Sequence, residues 1–208
     1  NVMDGVFYNA GQSCCGVERI YVHEKVYDQF IIGANNEMEK LKMGDPFAKD
    51  TTLGPLAHEK SIQFLVNQKL DAINKGAKII EFSGDFPQKG NYMRPFIAIN
   101  CNLEMDIMTD ESFGPVIGIM KVYSDDEAIL LMNESEFGLT ASVWTKDNNR
   151  AEMIADKLET GTVFQNRCDV LDPELPWVGV KKSGFGASLG EIGIQQLTRP
   201  KSYNFKQI

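Results

Sequence analysis

Strand-type and helix-type hydrophobic patterns take turns along this chain, and that alternation leaves few architectures open. RIYVH (19–23) is a short run of β-branched and aromatic residues. The segment 24–42 follows, with Val26, Phe30, Ala34, Met38 and Leu41 at helical spacing and a stop at Gly44-Asp45-Pro46. A second helix is predicted over 58–76, with Ile62, Leu65, Val66, Leu70 and Ile73 on one face and Gly76 as its C-terminal stop. AKIIEF (77–82) and RPFIAI (94–99) read as strands, and PVIGIMKVY (115–123) as a continuously apolar, buried strand. Ser124 to Glu127 has the form of a capping box opening another helix. TASVWT (140–145), the segment 147–158 and GTVFQN (161–166) then read as strand, helix and strand. Such an order predicts an α/β domain: a mainly parallel, twisted sheet flanked by helices. The irregular stretches 44–57, 83–93, 101–114 and 167–187 are long for simple connections, and loops of that kind carry sites. The last residues, KSYNFKQI (201–208), alternate polar and apolar as an extended edge strand does, suited to pairing with a partner subunit.

The 208 residues are enough for one domain with a real core. A formal net charge of −8 repels nucleic acid and anionic membrane, so neither is expected as a partner. No apolar run is long enough to span a bilayer, and no signal-peptide pattern opens the chain. Cys14, Cys15, Cys101 and Cys168 do not form a disulfide framework, and they read as thiols of a reducing compartment. The cytoplasm is the expected location, with the mitochondrial matrix as the alternative. His23 and His58 have no zinc-type spacing, so no metal site is expected.

Three loop segments carry chemistry. In FYNAGQSCCGVE (7–18), Cys14 follows a polar stretch rather than an apolar run. A backbone turning at such a glycine presents a side chain and free amides together, and peptide dipoles or a cation favour a nucleophilic thiolate. Cys101 and Cys168 read as small buried hydrophobes. In DESFGPVIG (110–118), Glu111 lies two residues from the aromatic Phe113, and a Gly-Pro turn leads into the buried strand. Both sit at the start of that strand, whereas open α/β sheets bind ligands at strand C-termini. In LPWVGVKKSGFGASLG (175–190), Gly184, Gly186 and Gly190 tempt a dinucleotide reading. That fingerprint needs a preceding strand, a helix and a second strand over about thirty residues, and only 18 remain after Gly190. A flexible, substrate-facing loop fits better, with Lys181 and Lys182 as solvated surface charges.

Taken together, these segments resemble the aldehyde dehydrogenase superfamily, and specifically its catalytic domain. FYNAGQSCCGVE resembles that family's active-site cysteine signature, with Cys14 at the nucleophile position and Cys15 as its variable neighbour. ESFGPV resembles its Glu-x-Phe-Gly-Pro motif, GLTASVWTKD its strand before a late helix, and PWVGVKKSGFG its late glycine-rich loop. The resemblance runs in order from about Phe7 to Phe205. One departure is visible: Val178 stands where that loop usually has the first of two glycines, which bears on substrate specificity.

The resemblance implies that the Cys14 thiolate attacks an aldehyde carbon, that NAD or NADP takes the hydride, and that water releases a carboxylic acid from a thioester. It implies that Glu111 holds the nicotinamide ribose and that Phe113 packs near the cofactor ring. In the family, the cofactor domain, the oxyanion Asn and the general-base Glu precede the cysteine, which here is residue 14. The expectation is a catalytic domain (1–199) and an oligomerisation strand (200–208) that fold but do not turn over alone, with homo-oligomers formed by the longer enzyme. Two alternatives stand beside this: a non-catalytic assembly module on the same fold, and a cysteine-dependent acyl-phosphate reductase relative. The ESFGP and PWVGVKKSG pairing argues against the latter. A vicinal disulfide between Cys14 and Cys15 is possible but strained.

Overall fold

The computed structural model describes residues 1–168 and 170–208. Its centre is a four-stranded sheet of β1 (Arg19–His23), β2 (Lys78–Glu81), β3 (Phe96–Ile99) and β4 (Val116–Val122), in the order β1-β4-β3-β2. β4 runs parallel to both neighbours, with Arg19 opposite Gly118 and Phe96 opposite Val116, and only β2 runs antiparallel. Phe96, Ile97, Ala98, Val116, Ile117 and Ile119 are buried, which explains why these two central strands read as apolar runs. The parallel sheet flanked by helices agrees with the sequence expectation.

Helices α2 (Glu24–Met38) and α3 (Glu59–Asn74) bury Tyr27, Ala34 and Met38, and Leu65, Gln68 and Ala72. α2 stops short of the predicted 42 because the chain finds other partners there. Lys42 N–H donates to Thr52 Oγ1 at 2.8 Å, and Thr52 and Leu53 donate back to Lys42 O. Short helices escaped prediction, among them α1 (Val2–Phe7), which buries Met3, Val6 and Phe7, and the single turn α4 (Asp106–Thr109).

Beyond β4 the chain builds a smaller layer. Ser124 Oγ accepts the Glu127 N–H at the start of α5 (Asp125–Asn133), as the capping box predicts. The reciprocal bond lands one residue early, with Glu127 Oε2 accepting from Tyr123 N–H at 2.6 Å. After β5 (Phe137–Gly138) come β6 (Thr140–Val143), α6 (Asn148–Ala155) and β7 (Thr162–Gln165), and β6 and β7 pair in parallel. Ile129, Ala141, Ile154 and Leu158 form this layer's own core. The sheet expected as one is therefore divided: β6–β7 pair with each other, and a cavity of about 720 Å³ separates β6 from the free edge of β1.

The late loop folds into β8 (Trp177–Val178), β9 (Val180–Lys181), β10 (Ala187–Ser188) and α7 (Gly190–Gln195). β8 pairs with β10, and β9 with β5. Residues 201–208 are exposed and carry no regular structure. No helix among the described residues is long and apolar enough to cross a membrane.

Candidate active site

Cys14 sits on a tight turn between α1 and β1. Its presentation starts upstream, where Asn9, Ala10 and Gly11 all adopt left-handed backbone, with φ of 50, 56 and 73°. Non-glycine residues resist that conformation, so something must hold them. Two side-chain amides do. Asn9 Nδ2 donates to Gln12 O at 2.9 Å, and Gln12 Nε2 donates back to Asn9 O at 3.1 Å. Gln12 Oε1 also accepts the Ala57 N–H at 2.8 Å, which anchors the turn to the segment after α2. Gly16 N–H then donates to Ser13 O at 3.0 Å, and within this turn the Cys14 side chain is exposed while Cys15 is buried. Cys15 Sγ lies 3.5 Å from Ser13 Oγ. The turn thus displays one thiol and buries its neighbour.

The Glu111 loop lies against this turn. A side-chain carbon added at Gly11 would stand 2.0 Å from the Gly114 carbonyl oxygen, so only glycine permits the approach. Glu18 makes a second link. Its Oε2 accepts the Ser112 N–H at 2.8 Å and its Oε1 the Phe113 N–H at 3.1 Å. Burial pushes the Glu18 carboxyl above the usual carboxylate range, against the pull of those two N–H groups and Arg19; nearby Glu111 adds to the rise. Phe113 itself has φ of 51° and a part-exposed ring, Glu111 is exposed, and Ser112 between them is buried. Leu65 of α3 packs under Gly114 and backs the loop from below.

Cys14, Cys15, Glu18 and Glu111 all contribute to the wall of the 720 Å³ cavity, which then runs along β1 and β6. Cys14, Glu111 and Phe113 lie on adjoining loops at the N-terminal ends of β1 and β4, and of the three Cys14 and Glu111 line the cavity. Sequence reasoning missed Glu18. The available signal was an acid placed between a polar turn and a buried strand, where an unpartnered charge is costly.

The other residues singled out fall as follows. Cys101 is buried, its thiol donates to Ala98 O at 3.3 Å, and burial pushes it up to about 11. Cys168 is not the buried hydrophobe expected: it is half-buried against Gly5, with Sγ donating toward Asn1 O at 3.7 Å. Lys181 is not a solvated charge either. Its Nζ donates to Asn133 O and Ser135 O at 2.5 and 3.0 Å and pairs with Glu159 at 2.8 Å, closing the C-terminal end of α5. Lys182 does remain at the surface, paired with Glu136 at 2.5 Å. At Val178 the close approach is made by neighbouring glycines rather than by position 178 itself, as two contacts show. A carbon added at Gly161 would stand 1.6 Å from Val178 O, and one at Gly179 would stand 2.7 Å from Ser183 O. Gly184, Gly186 and Gly190 all have positive φ; the first two belong to the turn between β9 and β10 and Gly190 opens the short α7, so the string is no βαβ unit.

Comparison with known proteins agrees with this geometry. The profile of the aldehyde dehydrogenase family matches residues 1–203. Cytosolic 10-formyltetrahydrofolate dehydrogenase of Mus musculus is 35% identical over 206 residues, covering 98% of this chain and 23% of that one. The crystal structure of betaine aldehyde dehydrogenase from Staphylococcus aureus, in complex with NAD+, superposes with a TM-score of 0.87 at 31% identity, covering 94% of this chain and 39% of the other. NADP-dependent glyceraldehyde-3-phosphate dehydrogenase from Bacillus halodurans C-125, complexed with NADP, gives 0.88 at 34% identity, covering 95% and 41%. This chain thus spans less than half the length of each of these relatives. With the motifs in order, the fold matched and the family profile covering nearly every residue, the chain belongs to the aldehyde dehydrogenase family.

Proposed function

We propose that these residues form the catalytic domain of an NAD- or NADP-dependent enzyme that oxidises a small-molecule aldehyde to a carboxylic acid, with Cys14 as the nucleophile. The observation that carries this reading is the exposed Cys14 on a turn locked against the loop of Glu111 and Phe113. The Cys14 sulfur adds to the carbonyl carbon, making a C–S bond and placing charge on the former carbonyl oxygen. Backbone N–H groups of the turn are the local donors for that oxyanion, and such stabilisation is a large contribution in acyl chemistry. A bound nicotinamide cofactor would supply the acceptor for the hydride that leaves this carbon. The acyl group then rests on Cys14 as a thioester, and water cleaves the C–S bond to return the thiol and release the acid.

The residues present fit half of a cofactor site. Glu111 offers two exposed carboxylate oxygens, suited to a pair of ribose hydroxyls, and Phe113 offers an apolar ring face beside them. The glycine string at 184–190 supplies no dinucleotide fold, and the family resemblance assigns the remaining cofactor contacts, the oxyanion Asn and the general-base Glu to residues that precede the nucleophile. The 208-residue chain alone is therefore inactive on this reading. The solved relatives include one complexed with NAD+ and one with NADP, and both cofactors stay within the proposal. Residues 200–208, exposed and without regular structure here, would become the oligomerisation strand on pairing with a second subunit. The cytoplasm is the compartment in keeping with the four cysteines, all of them thiols.

The test is aldehyde-dependent reduction of NAD or NADP by the complete natural chain, compared with its Cys14→Ala variant. Activity abolished in the variant supports the reading. Full activity in the variant removes Cys14 as nucleophile, and turnover by the 208-residue chain alone removes the division of labour.

A further inference from the structure

We infer that Glu18 is a positioning residue for cofactor binding: carried on the nucleophile's own turn, it sets the Glu111–Phe113 loop through two backbone hydrogen bonds. The inference rests on the reading of Glu111 and Phe113 given above.

Glu18 leads directly into β1, and the loop it grips leads into β4, its parallel neighbour. The β1–β4 ladder begins only at Arg19 and Gly118, and on the other side β3 holds β4 from Val116 and Pro115, so both ladders stop short of Ser112 and Phe113. Across that unpaired gap each carboxylate oxygen takes one N–H, from Ser112 at 2.8 Å and from Phe113 at 3.1 Å. Two successive N–H groups converging on one anion form the kind of concavity that binds free anions elsewhere, and here a side chain fills it. The arrangement fixes the peptide that carries Phe113, whose left-handed φ of 51° needs outside support. It also sits one residue from Glu111, so any rotation of the loop moves that carboxylate. Glu18 is half-buried at the cavity wall, and among the described residues its two carboxylate oxygens take these two backbone N–H groups, with Arg19 next to it. The Gly11–Gly114 contact holds the loops together by itself. Glu18 adds orientation.

Glutamine at this position has the same size but one acceptor oxygen, and its NH2 would face an N–H donor. The experiment uses the complete natural chain with Glu18→Gln and Glu18→Asp, and Glu111→Ala as the reference. Cofactor KM and kcat are measured at saturating aldehyde, with the rate of Cys14 alkylation followed alongside. Loss of one charge-assisted bond predicts a cofactor KM raised about tenfold in Glu18→Gln. kcat and alkylation are expected to stay within about threefold, the pattern of lost ground-state binding. Glu18→Asp keeps the charge but is too short for both bonds, so its KM lies between, and it decides the matter if Glu18→Gln does not fold. A raised KM in Glu111→Ala with no change in either Glu18 variant overturns the assignment of Glu18 alone. An unchanged KM in Glu111→Ala overturns the ribose reading, and the proposal with it. A fall in kcat and alkylation at constant KM marks a merely structural role and also overturns it.

Discussion

Three glycines separate the ways in which a single methyl group perturbs this fold, and one of them probes the contact on which the site depends. Gly33 lies exposed inside α2 at ordinary helical φ, with nothing within 4 Å of an added carbon. Gly76 has φ of +100° just past α3, again with open space around it. Gly11 has both problems: φ of +73° and the Gly114 carbonyl carbon and oxygen at 2.4 and 2.0 Å. Alanine at 33 stabilises by about 0.5–1 kcal/mol, the ordinary helix-interior difference. Alanine at 76 costs about 1 kcal/mol for left-handed backbone alone. Alanine at 11 carries that cost plus an overpacking cost of about 1–3 kcal/mol, because both sides of the clash are backbone and neither can rotate away. A total of about 3 kcal/mol corresponds to a Tm lower by about 6–12 °C for a chain of this size. Urea unfolding and thermal melts of the three variants supply the ranking, and the expected order is Gly33→Ala above the native protein, then Gly76→Ala, then Gly11→Ala. If Gly11→Ala is no less stable than Gly76→Ala, the two loops are not in contact and the site described above is wrongly assembled.

Other consequences follow from the same geometry. In the folded protein iodoacetamide labels exposed Cys14 first and buried Cys101 last, with the difference lost in denaturant; equal native rates would contradict the turn geometry. Because burial raises the Cys101 thiol from 9.0 to about 11, the folded state keeps a proton that the unfolded state gives up, so stability declines as pH rises through that window. The decline amounts to roughly 2–3 kcal/mol and is absent in Cys101→Ala, as unfolding curves at several alkaline pH values will show. Lys181→Met removes two hydrogen bonds and one ion pair at the end of α5 and lowers stability by about 1–2 kcal/mol, whereas Lys182→Met changes it by less than about 0.5 kcal/mol. Deleting residues 200–208 from the complete chain lowers the oligomeric state seen by light scattering while leaving Cys14 alkylation unchanged.

The fold was legible wherever one hydrophobic period held long enough. β1, α2, α3, β3 and β4 all fell within their predicted segments, because apolar spacing reports directly on which face is buried. Boundaries moved where long-range partners intervened, as at Lys42, whose N–H prefers Thr52 to another helical turn. α1 was invisible because six residues carry too little periodicity to separate a helix from a loop. Lys181 and Cys168 were misread because their surroundings come from residues far away in sequence: Asn133, Ser135 and Glu159 for one, Asn1 and Gly5 for the other. Cys14 and Glu111 could be named from their motifs. Their juxtaposition through Gly11 and Glu18 could not, since nothing in a linear pattern says which loop a glycine approaches or which amides a carboxylate receives.

On the proposed reading, an aldehyde becomes an acyl group on Cys14. The most direct measurement incubates the complete chain with an aldehyde and oxidised cofactor, quenches in acid, and fragments the tryptic peptide ending at Arg19 by mass spectrometry. The expected result is an acyl mass localised to Cys14, appearing only when both reactants are present. An acyl mass on Cys15, or product formation with no adduct trapped on Cys14 under any quench time, would contradict it.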